Sequence, residues 1–202
     1  MSDRSSSTPF PNQYNQIENY HFSYAKYHGN SHLEFGGFRL LARNNILVRF
    51  QTYSSDGTLI YTQQSYGTAV FFIKLYIEQG FLQFQFFCES SEEANHINTT
   101  VRVDDGRTYV TQIRQDVVPC NAVVTVFGVT VATSTPGNTW CCLVNQRTGP
   151  LFLGGLPTSY RPNQVAEPFN NFTGCLEVMK INGLGPLVLS NAISRNNIDY
   201  CR

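Results

Sequence analysis

Short runs in which apolar and polar residues alternate recur along this chain, separated by clusters of Gly, Asn, Asp and Ser. Side chains on an extended strand point alternately to opposite faces, so each such run can bury one face and wet the other. Residues 46–53 (ILVRFQTY) alternate in this way, Ser54-Ser55-Asp56-Gly57 follows, and residues 58–62 resume the pattern. An Asp-Gly pair between two such runs predicts a hairpin. Residues 69–78 (AVFFIKLYIE), the turn Gln79-Gly80 and residues 81–87 (FLQFQFF) predict a second. Further strands are expected at 98–103, 109–115, 122–133, 151–153 and 176–181, whereas no stretch carries helical periodicity of useful length and residues 90–95 give at most a turn. Many short strands about ten residues apart describe an antiparallel sandwich or barrel, so the fold class is all-β. No internal repeat with a period of roughly 20 to 50 residues is found, which argues against a solenoid or propeller.

Composition narrows the function. The 202 residues carry 14 basic and 14 acidic side chains, a formal net charge of zero and a charged fraction of 14%, where an ordinary soluble domain is nearer about 25%. A protein that binds nucleic acid by displacing counterions needs clustered Lys and Arg. The closest approach to a cluster, Arg39, Arg43 and Arg49, is interrupted by apolar positions and reads as strand decoration; no nucleic-acid partner is expected. The 15 Phe and 11 Tyr exclude disorder for the chain as a whole. The most apolar stretch, residues 69–77, is broken by Lys74 and falls short of the roughly 18 to 20 residues a membrane helix needs, so this segment is not expected to insert into a membrane.

Residues 1–19 are expected to be a polar, Ser/Pro-containing lead-in or linker, and residues 20–202 one domain. The first sixteen residues, MSDRSSSTPFPNQYNQ, lack the apolar core of a secretory signal. Two readings follow: a piece of a longer secreted or cell-surface protein, which is preferred, or a cytosolic chain with reduced thiols. The six cysteines, Cys88, Cys120, Cys141, Cys142, Cys175 and Cys201, bear on this choice. Zinc sites want close pairs two to four residues apart, and the only close pair is the adjacent Cys141 and Cys142, while His21, His28, His32 and His96 lie far away in sequence. Disulfides and an oxidising compartment are therefore expected. The sequons Asn98-Thr99-Thr100 and Asn171-Phe172-Thr173 agree with secretion and make Asn98 and Asn171 candidate glycosylation sites.

An ordered set of motifs then matches a known family. It runs from Leu33-Glu34-Phe35 through Val48-Arg49-Phe50-Gln51-Thr52 and Asp56-Gly57-Thr58-Leu59-Ile60-Tyr61 to Gln79-Gly80-Phe81-Leu82-Gln83-Phe84 and Asp105-Gly106-Arg107. It continues with Gly149-Pro150-Leu151-Phe152-Leu153-Gly154-Gly155-Leu156-Pro157, Phe172-Thr173-Gly174-Cys175-Leu176 and Ile181-Asn182-Gly183, and closes at Cys201. In order and spacing the chain resembles a laminin G-like domain over residues 20–202. The cysteines before LFLGG are similar to those of such domains in atypical cadherins of the flamingo and Fat type, with Crumbs-like and usherin-like proteins as other possible parents. The resemblance implies a jelly-roll of two curved antiparallel sheets, about a dozen strands, with binding by loops at one rim. It implies a Cys175–Cys201 disulfide closing a loop of about 26 residues, worth about 3 kcal/mol by the chain-entropy argument. For the remaining four cysteines the preferred pairing is Cys120 with Cys141 or Cys142, with Cys88 taking the other. Where the family usually has Trp-His after Asp-Gly-x, this chain has Thr108-Tyr109, and Tyr109 or a Phe is expected to fill the space. Trp140, beside Cys141, is expected to pack on a disulfide.

No G-x-S-x-G, H-E-x-x-H or strand-to-helix glycine loop is present. Glycosidases on such folds need two carboxylates facing one cleft; Glu89, Glu92 and Glu93 fall in a polar loop and Asp104-Asp105 are adjacent and diverge if extended. No catalysis is expected. Many laminin G-like domains hold one Ca2+ at the rim. The resemblance would place Asp105 and Asn170 as side-chain ligands, with carbonyls from Asn121 or Ala122 and from Pro168; oxygen donors suit Ca2+, and one formal charge would make the site weak. Against this, Asp105 serves the turn before Gly106 equally well.

The expectation is thus a non-enzymatic extracellular or cell-surface recognition module of a larger protein, binding protein or glycan partners through rim loops. A galectin-like or legume-lectin-like sugar site, for which His96, Asn98 and Arg102 come closest, and a structural spacer are the alternatives.

Overall fold

The computed structural model describes residues 23–66, 69–88, 94–117, 120–134 and 148–201. Among these residues the chain forms β1 (Ala25–Phe38), β2 (Arg43–Gln51), β3 (Gly57–Tyr66), β4 (Ala69–Glu78), β5 (Phe81–Cys88), β6 (Asn95–Arg102), β7 (Thr108–Asp116), β8 (Asn121–Val126), β9 (Val129–Ser134), β10 (Gly149–Leu153), β11 (Thr173–Ile181) and β12 (Ser194–Tyr200). The hydrogen-bonded order is β6-β5-β4-β3-β10-β1-β11-β2-β7-β8-β9, with β12 along β1. Strand β1 pairs with β11 through residues 25–28 and with β10 through residues 33–38, so one long strand belongs to both halves of the structure.

The two halves close on one core. Ile46, Val48 and Phe50 of β2, Tyr109 and Ile113 of β7 and Val124 of β8 share it with Ile73, Leu75 and Ile77 of β4 and Leu82, Phe84 and Phe86 of β5. This is an antiparallel jelly-roll sandwich, and each large side chain it buries contributes on the order of 1.5 to 3 kcal/mol. A second, smaller apolar cluster lies on the other face of the β10-β3-β4-β5 layer, where Tyr61, Phe72, Phe87 and Phe152 meet Ala166, Leu156, Tyr160 and Phe169 of the segment between β10 and β11. That segment is a strap across the sheet. It explains why the β4 run is apolar on both faces: Phe71, Ile73, Leu75 and Ile77 enter the main core while Phe72 enters the cluster under the strap.

The disulfide Cys175–Cys201 joins β11 to the residue after β12, with Cα atoms 6.0 Å apart and the cysteines 26 positions apart in sequence. Cys120 is also disulfide-bonded. Cys141, Cys142, Trp140, Glu89, Glu92, Glu93 and the lead-in 1–19 lie outside the described residues, as does the side chain of Cys88, and the pairings expected for them lie there too.

Two expectations are corrected. The hairpin across Asp56-Gly57 does not form: β2 pairs with β7 and β11, and β3 with β4 and β10. Residues 52–56 instead carry the chain from one layer to the other. Alternation fixes which face of a strand is buried, not which strand lies beside it. The expected strand 122–133 is two strands, β8 and β9, joined by a two-residue turn at Phe127-Gly128 with Val126 opposite Val129. By contrast, β4 and β5 form the expected hairpin, Glu78 opposite Phe81.

Candidate functional site

Three connections converge at one end of the sandwich. The backbone N–H of Gly106, between β6 and β7, donates to the Thr52 carbonyl after β2 at 2.8 Å, and the Gln51 side chain donates back to the Gly106 carbonyl at 2.6 Å. The Gly80 N–H of the β4–β5 turn donates to Ser55 at 2.8 Å, and Val103 N–H to Gly80 at 2.9 Å. The Phe127-Gly128 turn joins them through Arg107, whose guanidinium carbon lies 5.6 Å from the Phe127 ring centre and 5.8 Å from that of Tyr109.

What this rim shows to solvent is aromatic. Tyr53 is 81% exposed and Phe127 68%. Phe127 has φ 48 and Gly128 φ 79, the paired positive values of a type I′ turn, whose first position normally goes to Asn, Asp or Gly. A Phe there carries backbone strain, and its ring is covered only in part, by an edge contact with Tyr109 at 6.0 Å between ring centres and by Arg107. The neighbouring Val110 and Val129 are 47% and 39% exposed. Beneath them Tyr109 is buried and stacks on Phe50 with ring centres 5.9 Å apart, so the Tyr expected to replace the usual Trp does fill that place in the core.

The charges of the rim are locally balanced. Asp105 accepts from the Arg107 backbone N–H at 3.0 Å and from Arg107 Nε at 2.6 Å, and Tyr109 Oη–H donates to it at 3.1 Å. These donors, the Arg107 amide foremost, hold the Asp105 carboxyl below its ordinary value. Asp104 turns the other way and takes two hydrogen bonds from Arg102, at 2.8 and 2.9 Å.

The proposed calcium ligands are not brought together. Asn121 and Ala122 pair with Asp116 and Gln115 at the far end of β7, about 27 Å from its Thr108 end at roughly 3.4 Å per residue. Two β-strands turning back on one another put their sequence-distant ends together, so the end of β8 that comes to the Asp105 side is the Phe127 turn, which packs on Arg107 and Tyr109. The Asn170 carbonyl accepts from the Thr58 N–H at 2.7 Å, and the Pro168 carbonyl accepts from Lys74 Nζ at 2.6 Å. Asp105 is already neutralised by Arg107. Asn121 and Ala122 thus lie too far along β8 to share an ion with Asp105, and the Pro168 carbonyl already has a cation in the Lys74 ammonium. Of the two sequon residues, Asn98 lies on the exposed face of β6 and Asn171 is exposed beside the buried Phe172. His96, Asn98 and Arg102 do share that exposed face of β6, with Arg102 engaged by Asp104.

Sequence reasoning missed Tyr53, Phe127 and Lys74. A Phe-Gly pair in the middle of a long alternating run was the available signal for the first turn, and Lys74 was read only as a break in apolarity.

The family model described as Laminin G domain matches residues 50–184. The chain is 48% identical over 180 residues to the Protein eyes shut homolog of Danio rerio, covering 89% of this chain and 6% of that protein. To the Protein eyes shut homolog of Homo sapiens it is 40% identical over 182 residues, covering 90% of this chain and 6% of that one. The chain thus spans a small fraction of these relatives' length. Among solved structures, domains LG4-5 of the mouse laminin alpha1 chain match its fold with a TM-score of 0.74 at 21% identity, covering 93% of this chain and 48% of that one.

Proposed function

The chain belongs to the laminin G domain family, and from that premise we propose that it is an extracellular recognition module of a larger cell-surface or matrix protein, binding protein or glycan partners through the rim built by Tyr53, Arg107 and Phe127. The family is one of adhesion-type domains and not of enzymes. No helix among the described residues is long and apolar enough to cross a membrane.

Phe127 carries the proposal: a large apolar ring held at positive φ, 68% exposed, with the Arg107 guanidinium over it, on the same rim where the 81% exposed Tyr53 lies against Gly106. Phe, Tyr and Arg are the residue types enriched where one protein surface meets another, and a few of them supply most of the binding energy. Because Asp105 and Asp104 neutralise Arg107 and Arg102, the rim does not offer the free positive charge a polyanion would need, and shape and aromatic contact carry recognition.

The test is binding of the oxidised domain to arrayed extracellular ectodomains and glycans, compared with a Tyr53→Ala/Phe127→Ala variant of unchanged melting temperature. The variant is expected to lose about tenfold or more in affinity, as truncation of two anchor residues does. Partners that bind both forms equally would overturn the assignment of the rim.

A further inference from the structure

We infer that Lys74 is the cation of this domain: its ammonium holds the strap between β10 and β11 by the carbonyls of Ala166 and Pro168, the second of which the family resemblance would offer to calcium, so that the rim-side loop keeps its place without that ion.

Lys74 lies in the middle of β4, between Tyr61 of β3 and Gln85 of β5 in register, and is 1% exposed. Its side chain leaves the sheet on the strap side. Nζ donates to the Ala166 carbonyl at 2.8 Å and to the Pro168 carbonyl at 2.6 Å, and sits 4.2 Å from the Tyr76 ring centre and 4.4 Å from that of Phe169. Two carbonyl oxygens and two aromatic faces are the surroundings of a desolvated cation. Among the described residues no carboxylate lies within ion-pair distance of it. A buried charge is costly unless its protons are taken up, and here the strap backbone takes them.

Before its backbone joins β3 at Asn170, the strap is attached to the sheet by side-chain hydrogen bonds at three successive points. Asn163 N–H donates to Gln63 Oε1 at 2.9 Å, Gln85 Nε2 donates to the Val165 carbonyl at 2.9 Å, and Lys74 takes the next two available carbonyls, Ala166 and Pro168. Lys74 is the last of these points before Asn170, whose carbonyl starts β3 by accepting from Thr58. Removing it frees the segment that leads into the rim. Burial draws the Lys74 ammonium down to about 8, with the Glu78 and Glu167 carboxylates acting the other way; it remains mainly protonated at neutral pH.

The experiment compares the wild-type domain, Lys74→Met and Asp105→Asn by amide hydrogen exchange and thermal melting, each with millimolar calcium chloride and with chelator. Replacing a buried charge by an apolar side chain of like size can leave global stability unchanged, so the deciding measurement is local: the amides of Val165, Ala166, Glu167 and Phe172. The expected result is that the wild type shows the same melting point and the same strap protection with calcium as with chelator, and that Lys74→Met speeds strap exchange about tenfold or more in both, a loss of local protection. A wild-type melting point raised by calcium and no longer raised in Asp105→Asn would overturn the inference. So would strap protection in Lys74→Met equal to wild type. Should Lys74→Met not fold, Lys74→Arg, which keeps the charge but not the fit, is expected to loosen the strap alone, and the wild-type calcium comparison stands by itself. None of these readouts involves a partner, so failure here leaves the recognition rim untouched.

Discussion

The phenol end of Tyr53 lies so close to Gly106 that a β-carbon built on the glycine would fall 2.1 Å from Tyr53 Cζ. Gly106 also has φ 79, a conformation that side chains other than Gly rarely adopt. The glycine is thus required twice, once for its backbone and once to let the rim's most exposed aromatic ring fold back onto the turn. Gly106→Ala is expected to displace Tyr53 and to cost on the order of 1 to 3 kcal/mol, measured by urea denaturation. A variant as stable as wild type, with Tyr53 fluorescence unchanged, would show that the contact is not held in solution.

Tyr109 combines a core ring with a polar tip. Its ring stacks on Phe50, and its hydroxyl donates to the Arg102 carbonyl at 3.0 Å and toward Asp105 at 3.1 Å. Tyr109→Phe is expected to cost about 1 kcal/mol, the worth of the hydroxyl's hydrogen bonding, whereas Tyr109→Ala opens a cavity and is expected to cost about 3 to 5 kcal/mol. Equal losses for the two, in the same denaturation measurement, would mean that the ring contributes nothing to the core.

The Cys175–Cys201 bridge ties the end of the chain to β11 across 26 residues. A Cys175→Ser/Cys201→Ser variant is expected to lose about 3 kcal/mol, chiefly because the unfolded chain regains the freedom of that loop. The midpoint of denaturation should fall further with reductant in the wild type than in the double variant, which keeps only the Cys120 disulfide to lose.

The pH dependence of the rim has a definite sign. Asp105 is held below its ordinary value in the folded state, so it binds its proton less readily there than in the unfolded chain, and its contribution to stability is present above the unfolded value of about 3.8 and is lost as pH falls through the folded one. Relative to Asp105→Asn, the wild type should melt higher at neutral pH, and the gap should narrow as pH falls below the unfolded value and close once it is below the folded one. A gap that persists unchanged into acid would assign the difference to something other than the carboxylate.

How far the sequence reached can be seen strand by strand. The β4–β5 hairpin was legible because both runs are apolar and the Gln79-Gly80 pair supplies the turn; the disulfide and the family were legible because FTGC and the closing Cys201 sit at fixed spacing. β1 and β12 were not expected as strands. β12 reads SRNNIDY and stays mostly exposed, so it is a strand through its pairing with β1 rather than through a buried face, and pairing leaves no periodic mark. The calcium ligands were carried across by position, and position along the chain did not reveal that β8 returns Val126, not Asn121, toward Asp105.

Alternation and turn residues act through neighbours in the chain, and they alone committed this chain to an antiparallel sandwich or barrel with an apolar core and few charges; the Cys175–Cys201 pairing came from the family resemblance. The remaining features depended on what the fold sets side by side. It set Tyr53, Arg107 and Phe127 beside one another from three separate connections, and it brought Lys74 of β4 under the carbonyls of Ala166 and Pro168, about ninety residues later in the chain. Those contacts arise from which strands become neighbours and which loop crosses which face. A buried ammonium with carbonyl partners and an exposed aromatic in strained backbone have no signature in composition or period, since each is defined by what the fold places around it.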